Sequence, residues 1–153
     1  MKNITSFEIN HDVLKKGFYI SRVDGDIVTY DIRMVVPNSG AYLANAALHT
    51  FEHLFATYVR NSALSDAVVY VGPMGCRTGF YFLTRGITHE QALDLFRDTL
   101  DFICAFDGPI PGAQSSRECG NWLEHDLPGA RDIAAGMRPV LAGWTVEDMK
   151  YSE

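Results

Sequence analysis

The sequence predicts an α+β domain in which an antiparallel β-sheet packs against helices. Two runs with strand character, at 66–72 and 78–84, flank a tight break, an arrangement typical of antiparallel neighbours. Two longer runs, at 43–61 and 88–103, carry apolar residues at helical spacing. The 153 residues suit a single domain, predicted to span residues 1–153, because domains hold roughly 100 to 200 residues.

The first strand of the predicted sheet lies at 27–36, where apolar and polar side chains alternate. Its apolar face holds Val28, Tyr30, Ile32, Met34 and Val36, and its polar face holds Thr29, Asp31 and Arg33. This alternation predicts a half-buried strand, and the turn residues at 37–40 are expected to end it.

The first predicted helix covers 43–61, a run rich in Ala and Leu. Its apolar positions keep helical spacing at Leu48, Phe51, Phe55, Tyr58 and Val59. The β-branched run at 66–72 and the aromatic run at 78–84 then predict two neighbouring strands. The break between these strands holds Cys76, which we therefore expect on a loop.

The second predicted helix begins at Thr88, which forms a capping-box pattern with Gln91. Its apolar face holds Ala92, Leu95, Phe96, Leu100 and Ile103. A cluster of turn residues follows at 107–112. The run at 130–144 has helical content, but Gly136 and Pro139 are expected to weaken or kink any helix there.

Charge and composition narrow the classes of partner. Thirteen basic and nineteen acidic side chains give a net charge of −6, which opposes binding to a phosphate backbone, so we expect no nucleic-acid partner. No run approaches the ~20 apolar residues of a spanning helix, so we expect no membrane partner. The start resembles no secretory signal, and three cysteines cannot all pair. Both observations predict a cytoplasmic protein with free thiols.

The strongest local motif is the H-x-x-E-H pattern of His49, Glu52 and His53 inside the first predicted helix. At about 100° per residue these three positions share one helix face, so two imidazoles can bind one cation beside a carboxylate. Two ordinary histidines on an amphipathic helix are the simpler interpretation, since five histidines make a close pair unsurprising. Glu52 favours the metal site, because a carboxylate there can activate metal-bound water.

A firmly held catalytic metal needs a third protein ligand, and the candidates are Cys119, His125, His11 and His89. A thiolate with two imidazoles suits zinc and other borderline-soft divalent ions such as ferrous iron. Cys119 is one such candidate, although an inert buried thiol is an equally ordinary role for a cysteine.

The other candidate residues carry weaker signals. Cys76 follows Gly75, which leaves its sulfur accessible, although a packed loop cysteine is the simpler interpretation. Cys104 lies among apolar helix residues and is expected to pack in the core. Arg33 could hold an anionic group, but most such arginines are merely solvated. Ser6 and His11 carry no signal of their own.

Taken together, six segments resemble the S-ribosylhomocysteine lyase (LuxS) family in order along the chain. They are SFEINH at 6–11, YDIR at 30–33, HTFEHL at 49–54, PMGCRTGFY at 73–81, ECG at 118–120 and HDL at 125–127. H-x-x-E-H alone is a weak motif, but its combination with PMGC-x-TG and CG-x4-HDL is very specific. The resemblance runs from Ser6 to about Arg131.

The resemblance implies a LuxS/metallopeptidase-like sandwich and a homodimer with active sites at the subunit interface. It implies one divalent metal per subunit, Fe²⁺, for which Zn²⁺ or Co²⁺ can substitute. The implied reaction cleaves S-ribosylhomocysteine to homocysteine and 4,5-dihydroxy-2,3-pentanedione, the precursor of the quorum-sensing signal autoinducer-2. The enzyme would be a carbon-sulfur lyase of the activated methyl cycle.

Roles carry over to the matching positions. His49, His53 and Cys119 match the metal ligands of the family, and Cys76 and Glu52 match its acid/base residues. Three further positions match residues that hold the substrate: Ser6, His11 and Arg33. Thr29 departs from the family, since many relatives have a basic residue there, and this could remove one substrate contact. Phe51 and Arg77 also differ from the common residues but should not touch the chemistry.

Two other classes of protein fit part of the pattern. A metallopeptidase would use Glu52 to activate water and would not need Cys76, but its usual distant third ligand leaves little room in 153 residues. A domain with a structural metal would need a fourth protein ligand and a closed site, for which His125 is the obvious candidate.

Overall fold

A four-stranded sheet and three long helices form the framework of the chain. The computed structural model describes residues 1–152. The strands are β1 (Gly17–Asp24), β2 (Ile27–Arg33), β3 (Val68–Pro73) and β4 (Gly79–Arg85). The helices are α1 (Thr5–Glu8), α2 (Asn45–Arg60), α3 (His89–Ala105) and α4 (Leu127–Leu141), with 3₁₀ turns at Ser65–Ala67 and Val146–Met149.

The sheet has the order β1-β2-β4-β3, and every neighbouring pair is antiparallel. Tyr30 in the centre of β2 lies opposite Ile20 of β1 and Phe82 of β4. Gly79 begins β4 where a Cβ would collide with the Ile32 carbonyl oxygen, so only glycine allows the strands to approach this closely. The predicted α+β class with an antiparallel sheet is confirmed.

The core lies between one face of the sheet and the long helices. Aromatic side chains dominate it, and those with no exposed surface are Phe18, Tyr30, Phe51, Phe55, Phe80, Phe82 and Phe96. Phe55 of α2 packs at 5.3 Å between ring centroids from Phe82 of β4 and at 5.1 Å from Phe96 of α3. Burial of such rings fixes α2 on the sheet, and α2 carries the histidine motif.

Strand β2 is shorter than the alternation predicted, and its polar face is not open to solvent. It ends at Arg33 because the backbone N–H groups of Met34 and Val35 both donate to the Thr78 carbonyl, at 2.8 and 3.1 Å. Val36, predicted on the apolar face, is 43% exposed. Asp31 and Arg33 are buried instead, because they neutralise each other as an ion pair of 2.6 Å.

The helix predictions have different outcomes. The Thr88 capping box is present, with Gln91 N–H donating to Thr88 Oγ1 at 3.1 Å and Thr88 N–H donating to Gln91 Oε1 at 2.9 Å. The helical content predicted at 130–144 is present as α4, which continues through Gly136 and Pro139, and the expected weakening or kink at these two residues stays a prediction. Pro139 lies in the last turn, where little helix remains to be disrupted, and packing of the buried Ala134, Met137 and Leu141 supports the rest.

Strand β1 was not predicted. Its first three residues are buried and its last three are exposed, so burial changes along the strand instead of alternating between its faces. The period of two that identifies a half-buried strand is therefore missing.

The described residues contain no helix long and apolar enough to cross a membrane. The prediction of a single domain over 1–153 stays a prediction, and its last residue is outside the described range.

Candidate metal centre

Helix α2 presents two imidazoles on one face. His49 and His53 are four residues apart, and their ring centroids lie 4.7 Å from each other. The neighbouring residues of α2 that face the core, Phe51, Leu54 and Phe55, have no exposed surface. Packing of these apolar side chains fixes the rotation of α2 and so the direction of the histidine pair.

Two distant segments bring further donors to this pair. Cys119 comes from the connection between α3 and α4, and His125 comes just before α4. The four ligand atoms of His49, His53, Cys119 and His125 all lie within 4.8 Å of one another. Cys119 Sγ is 3.4 Å from His49 Nε2. Of the four candidates for a third ligand, the structure brings Cys119 and His125 to the pair.

Hydrogen bonds orient the two histidines of α2. His49 Nδ1 lies 2.8 Å from the Glu124 carbonyl oxygen, and His53 Nδ1 lies 2.7 Å from that of Pro111. A carbonyl oxygen only accepts, so each Nδ1 carries a proton, and Nε2 is the nitrogen whose lone pair is free when the ring is neutral. Gly112 follows Pro111 with φ +71°, and a Cβ there would lie 3.2 Å from His53 Nδ1, so glycine is needed at this contact.

His125 is held differently. Its Nδ1 lies 2.9 Å from Thr50 Oγ1, which also accepts a hydrogen bond of 2.9 Å from the Asp126 backbone N–H. Its Nε2 is buried without a hydrogen-bond partner among the described residues. Burial, followed by the neighbouring charges of His49 and His53, lowers the pKa of His125 to about 4, so the ring is neutral near neutral pH.

This donor set fits a single divalent metal ion. A thiol sulfur and two imidazole nitrogens with free lone pairs converge, and protein carbonyls orient both rings as metal-binding histidines require. The buried, unpartnered Nε2 of His125 is a fourth nitrogen at the same place. Glu52 lies on α2 beside His53, is half-buried, and is outside the four-donor group.

The second predicted catalytic residue, Cys76, lies on the loop between β3 and β4, as expected. Its side chain is exposed, and its Sγ is 3.0 Å from Thr78 Oγ1. Thr78 Oγ1 accepts a hydrogen bond of 2.9 Å from Arg33 Nη1. Arg33 is therefore part of a buried polar cluster and is not the solvated arginine of the simpler interpretation.

Electrostatics keep the Arg33 cluster charged. Burial alone would lower the Arg33 pKa, but the hydrogen bonds and negative charge of Asp31 outweigh it, so the pKa of Arg33 is raised. Arg33 Nε and Nη2 donate to the two Asp31 carboxylate oxygens at 3.1 and 2.6 Å. Tyr151 donates its hydroxyl to Asp31 Oδ2 at 2.7 Å, which brings the end of the chain onto the same cluster.

The remaining candidates lie outside the four-donor group. Ser6 on α1 lines a cavity of about 410 Å³ beside the sheet, together with Thr29, Tyr70 and Tyr81. His11 Nδ1 donates to the Ile9 carbonyl at 2.8 Å. His89 pairs with the Tyr30 hydroxyl at 2.7 Å, and so has a structural role between α3 and β2.

Sequence reasoning missed Thr50, Asp31 and Thr78 as parts of these sites. Thr50 lies between His49 and Phe51 in the motif, but nothing local marks a buried threonine whose partners are 75 and 76 residues away. Asp31 and Arg33 are two residues apart on β2, so their side chains lie on the same face of the strand. This i,i+2 spacing of opposite charges is the feature of the sequence that indicates the ion pair.

The fold and the donor group define a class: an α+β protein with a mononuclear site for a divalent metal on an H-x-x-E-H helix. Comparison with known sequences gives the family. The profile described as S-Ribosylhomocysteinase (LuxS) matches residues 4–145. This chain belongs to the S-ribosylhomocysteinase (LuxS) family.

Relatives are similar over the whole chain. A protein of Phocaeicola vulgatus is 46% identical, with 99% of this chain and 98% of the relative covered. A protein of Porphyromonas gingivalis is 45% identical, with both chains fully covered. One of Clostridium acetobutylicum is 42% identical, again over 100% of both chains. All three are named S-ribosylhomocysteine lyase.

Proposed function

We propose that this chain is a carbon-sulfur lyase that cleaves S-ribosylhomocysteine to homocysteine and 4,5-dihydroxy-2,3-pentanedione. The observation that carries the proposal is the convergence of His49, His53 and Cys119, three donors from two distant segments. Similarity to lyases over both full lengths supports the same reaction. Family membership favours the lyase over the peptidase hypothesis.

The reaction makes specific demands on the site. The thioether at ribose C5 leaves by β-elimination only after the C4 proton has become acidic, and this requires a carbonyl at C3. The sugar aldehyde must therefore move from C1 to C3 in two steps. Each step transfers a proton between adjacent carbons, so a mobile base is needed beside the substrate.

We assign one divalent metal per subunit to His49, His53 and Cys119, with Nε2 of each histidine and Sγ of the cysteine as donors. We propose Fe²⁺, with Zn²⁺ or Co²⁺ able to substitute, because one sulfur and two nitrogens suit borderline-soft divalent ions. When bound, the ion supplies Lewis-acid polarisation of the substrate carbonyl. Glu124 and Pro111 carbonyls keep both imidazoles in the binding tautomer.

Proton movement is assigned to Cys76 and Glu52. Cys76 as a thiolate moves protons between carbons, and the exposure of its loop lets substrate reach the sulfur. Glu52 exchanges protons with the sugar oxygens and takes the C4 proton in the elimination step. Its half-buried position on α2, beside His53, supports this role.

Ser6, His11 and Arg33 are assigned to substrate binding. Ser6 supports this role because it lines the cavity of about 410 Å³. A guanidinium has five N–H groups, and Arg33 uses three of them in hydrogen bonds to Asp31 and Thr78. Two N–H groups therefore remain for a ligand oxygen. The absence of a basic residue at Thr29, which lines the same cavity, predicts a weaker hold on substrate.

A second copy of the chain completes the enzyme in this proposal, as a homodimer with active sites at the interface and a sandwich of the metallopeptidase-like kind. The face of the sheet away from α2 and α3 supports it, because Tyr70 there is 53% exposed. The enzyme acts in the cytoplasm, recycles homocysteine and supplies the precursor of autoinducer-2 for quorum sensing.

The direct test is anaerobic incubation of the metal-loaded protein with S-ribosylhomocysteine, followed by titration of the released thiol. We expect stoichiometric homocysteine. No thiol above the blank, with metal fully bound, would overturn the lyase proposal.

A panel of variants tests the separate roles. Cys119→Ala should lose metal, whereas Cys104→Ala, the same change in the partly buried cysteine packed against the core, should keep it. Cys76→Ser and Glu52→Gln should keep metal and lose turnover by at least about a hundredfold, the usual effect of a general acid or base. Full activity in Cys76→Ser would contradict the assigned proton transfer.

A structural metal remains the second candidate function, favoured by the presence of His125 Nε2 in the donor group. Four protein ligands would close the site to substrate. Cobalt-loaded protein separates the two functions: addition of S-ribosylhomocysteine should change the visible cobalt spectrum of an open site and leave that of a closed site unchanged.

A further inference from the structure

A line of hydrogen bonds joins a buried ion pair to the exposed thiol of Cys76. Asp31 holds Arg33 through two bonds of 3.1 and 2.6 Å. Arg33 Nη1 is 2.9 Å from Thr78 Oγ1, and Thr78 Oγ1 is 3.0 Å from Cys76 Sγ. Thr78 is the single side chain between the fixed charge and the sulfur.

The direction of these bonds follows from the chemistry of their groups. A guanidinium has donors only, so Thr78 Oγ1 must accept from Arg33. Thr78 has one hydroxyl proton left to donate, and Cys76 Sγ lies at hydrogen-bond distance from it. A hydroxyl that accepts from a cation is also polarised, which makes it a better donor to a negatively charged sulfur.

The surroundings keep this line in place. Asp31 has no exposed surface and Arg33 is 2% exposed, so neither can turn toward water. Tyr151 donates to Asp31 Oδ2 and stacks on Tyr19 at 5.1 Å between ring centroids. Arg33 on β2 and Tyr81 on β4 both interact electrostatically with Cys76. Burial raises the Tyr81 pKa, so the phenol stays neutral and Arg33 provides the charge.

We propose that Thr78 is a positioning residue whose hydroxyl donates to the Cys76 sulfur, relays the charge of Arg33 and stabilises the thiolate. The thiol proton leaves to water, which reaches the exposed side chain. The state of the sulfur in substrate-free protein follows from this geometry alone. Its effect on turnover rests on the proposed lyase function.

The test measures Cys76 in zinc-loaded protein without substrate. Thr78→Val replaces the hydroxyl with a methyl of similar size, and Thr78→Ser keeps the hydroxyl. Thr84→Val is the matched control, because Thr84 is also fully buried and lies on β4. Iodoacetamide alkylation at neutral pH is followed on the tryptic peptide 61–77, which contains Cys76 and no other cysteine. Ultraviolet thiolate absorbance, with Cys76→Ala as the baseline, gives an independent reading.

We expect alkylation of Cys76 to slow by roughly tenfold or more in Thr78→Val, as the loss of a hydrogen bond to a charged group implies. Thr78→Ser and Thr84→Val should stay near the wild-type rate. If Thr78→Val shows the same alkylation rate and the same thiolate absorbance as the wild type, the proposal is overturned. If circular dichroism shows that Thr78→Val is unfolded, Thr78→Ala is held to the same criterion.

Turnover separates this proposal from the lyase function. In Thr78→Val we expect kcat to fall with metal content unchanged, and Thr78→Ser should restore it. If wild-type protein releases no thiol from S-ribosylhomocysteine, the lyase function fails while the alkylation rates still decide the role of Thr78.

Discussion

Thr50 connects three parts of the metal centre through one hydroxyl group. It lies on α2 between the metal-binding face and the core, and is fully buried. Its Oγ1 accepts from the Asp126 backbone N–H, and it also pairs with His125 Nδ1. Asp126 in turn caps α4 by accepting from Gly129 N–H at 2.9 Å. One buried side chain thus fixes the start of α4 and the direction of His125.

Thr50→Val should weaken metal binding by about tenfold, in line with the usual cost of losing a residue that orients metal ligands. The variant leaves the Asp126 N–H and His125 Nδ1 without their partner. The segment that carries them is then less firmly held, and it includes the Glu124 carbonyl that orients the ligand His49. The measurement is competition for zinc with a chromophoric chelator.

Thr99→Val is the control for this change. Thr99 is also a fully buried helical threonine, but its hydroxyl donates within α3 to the Leu95 carbonyl. Equal zinc affinity in Thr50→Val and Thr99→Val would contradict the role given to Thr50.

At the scale of elements, single polar contacts fix the relative positions of strands and helices, which apolar packing alone does not specify. Tyr30 at the centre of β2 pairs with His89 in the first turn of α3 at 2.7 Å. Arg97 on α3 donates to the Leu141 and Trp144 carbonyls at the end of α4. These contacts satisfy buried polar groups and helix ends, and so fix the relative positions of β2, α3 and α4.

Tyr30→Phe should lower the free energy of unfolding by about 1 kcal/mol near neutral pH, the usual net contribution of one hydrogen bond. The substitution should also change how the free energy of unfolding depends on pH in the alkaline range. Burial raises the Tyr30 pKa to about 12, whereas an unfolded tyrosine ionises near 10. The contribution of Tyr30 to stability is therefore complete below pH ~10 and is lost as the pH rises toward ~12.

Urea denaturation of the wild type and Tyr30→Phe at several pH values measures both effects. The stability difference between the two proteins should shrink as the pH rises above ~10. A difference that is constant with pH would contradict the assigned shift.

Thr88→Ala should destabilise the protein by about 1 kcal/mol, because it removes the side-chain acceptor that caps α3. Thr88→Ser keeps an oxygen at the same position and should lose much less. Thermal unfolding followed by circular dichroism gives the comparison, and equal losses in the two variants would mean that the cap contributes nothing.

At the scale of the whole molecule, the two faces of the sheet differ in what covers them. Helices cover one face, whereas the other carries the Asp31–Arg33 pair, the exposed Tyr70 and the cavity beside Ser6. Exposed apolar side chains at the start of the chain lie in the same region, with Ile4 at 53% and Phe7 at 70%. This combination supports a second copy of the chain as the partner of that face.

Light scattering should give twice the mass of one chain for the wild type, and Tyr70→Glu should give monomers, because burial of an unpaired charge in an interface is costly. Ala142→Glu places the same charge on an exposed site between α3 and α4 and should remain dimeric. A wild-type monomer, or an unchanged dimer in Tyr70→Glu, would contradict the proposed interface.

Several features followed from the sequence because their causes are local. Periodicity placed α2, β4 and α3 near their observed positions, and the capping box located the start of α3. The two histidines of the H-x-x-E-H motif meet because four residues make about one helical turn. The order of motifs along the chain indicated the family, and this inference required no knowledge of contacts between distant residues.

The rest depended on tertiary structure, because it involves groups that are distant in sequence. Strand β1 lacks an alternating pattern because its burial changes along its length, and only the folded chain pairs Asp31 with Arg33 and places Thr78 between Arg33 and Cys76. The sequence by itself determined the class of fold, the family and the residue types available for chemistry. Tertiary structure alone decided which donors meet and which hydroxyls orient them, because hydrogen bonds and metal sites depend on distances that no local pattern encodes.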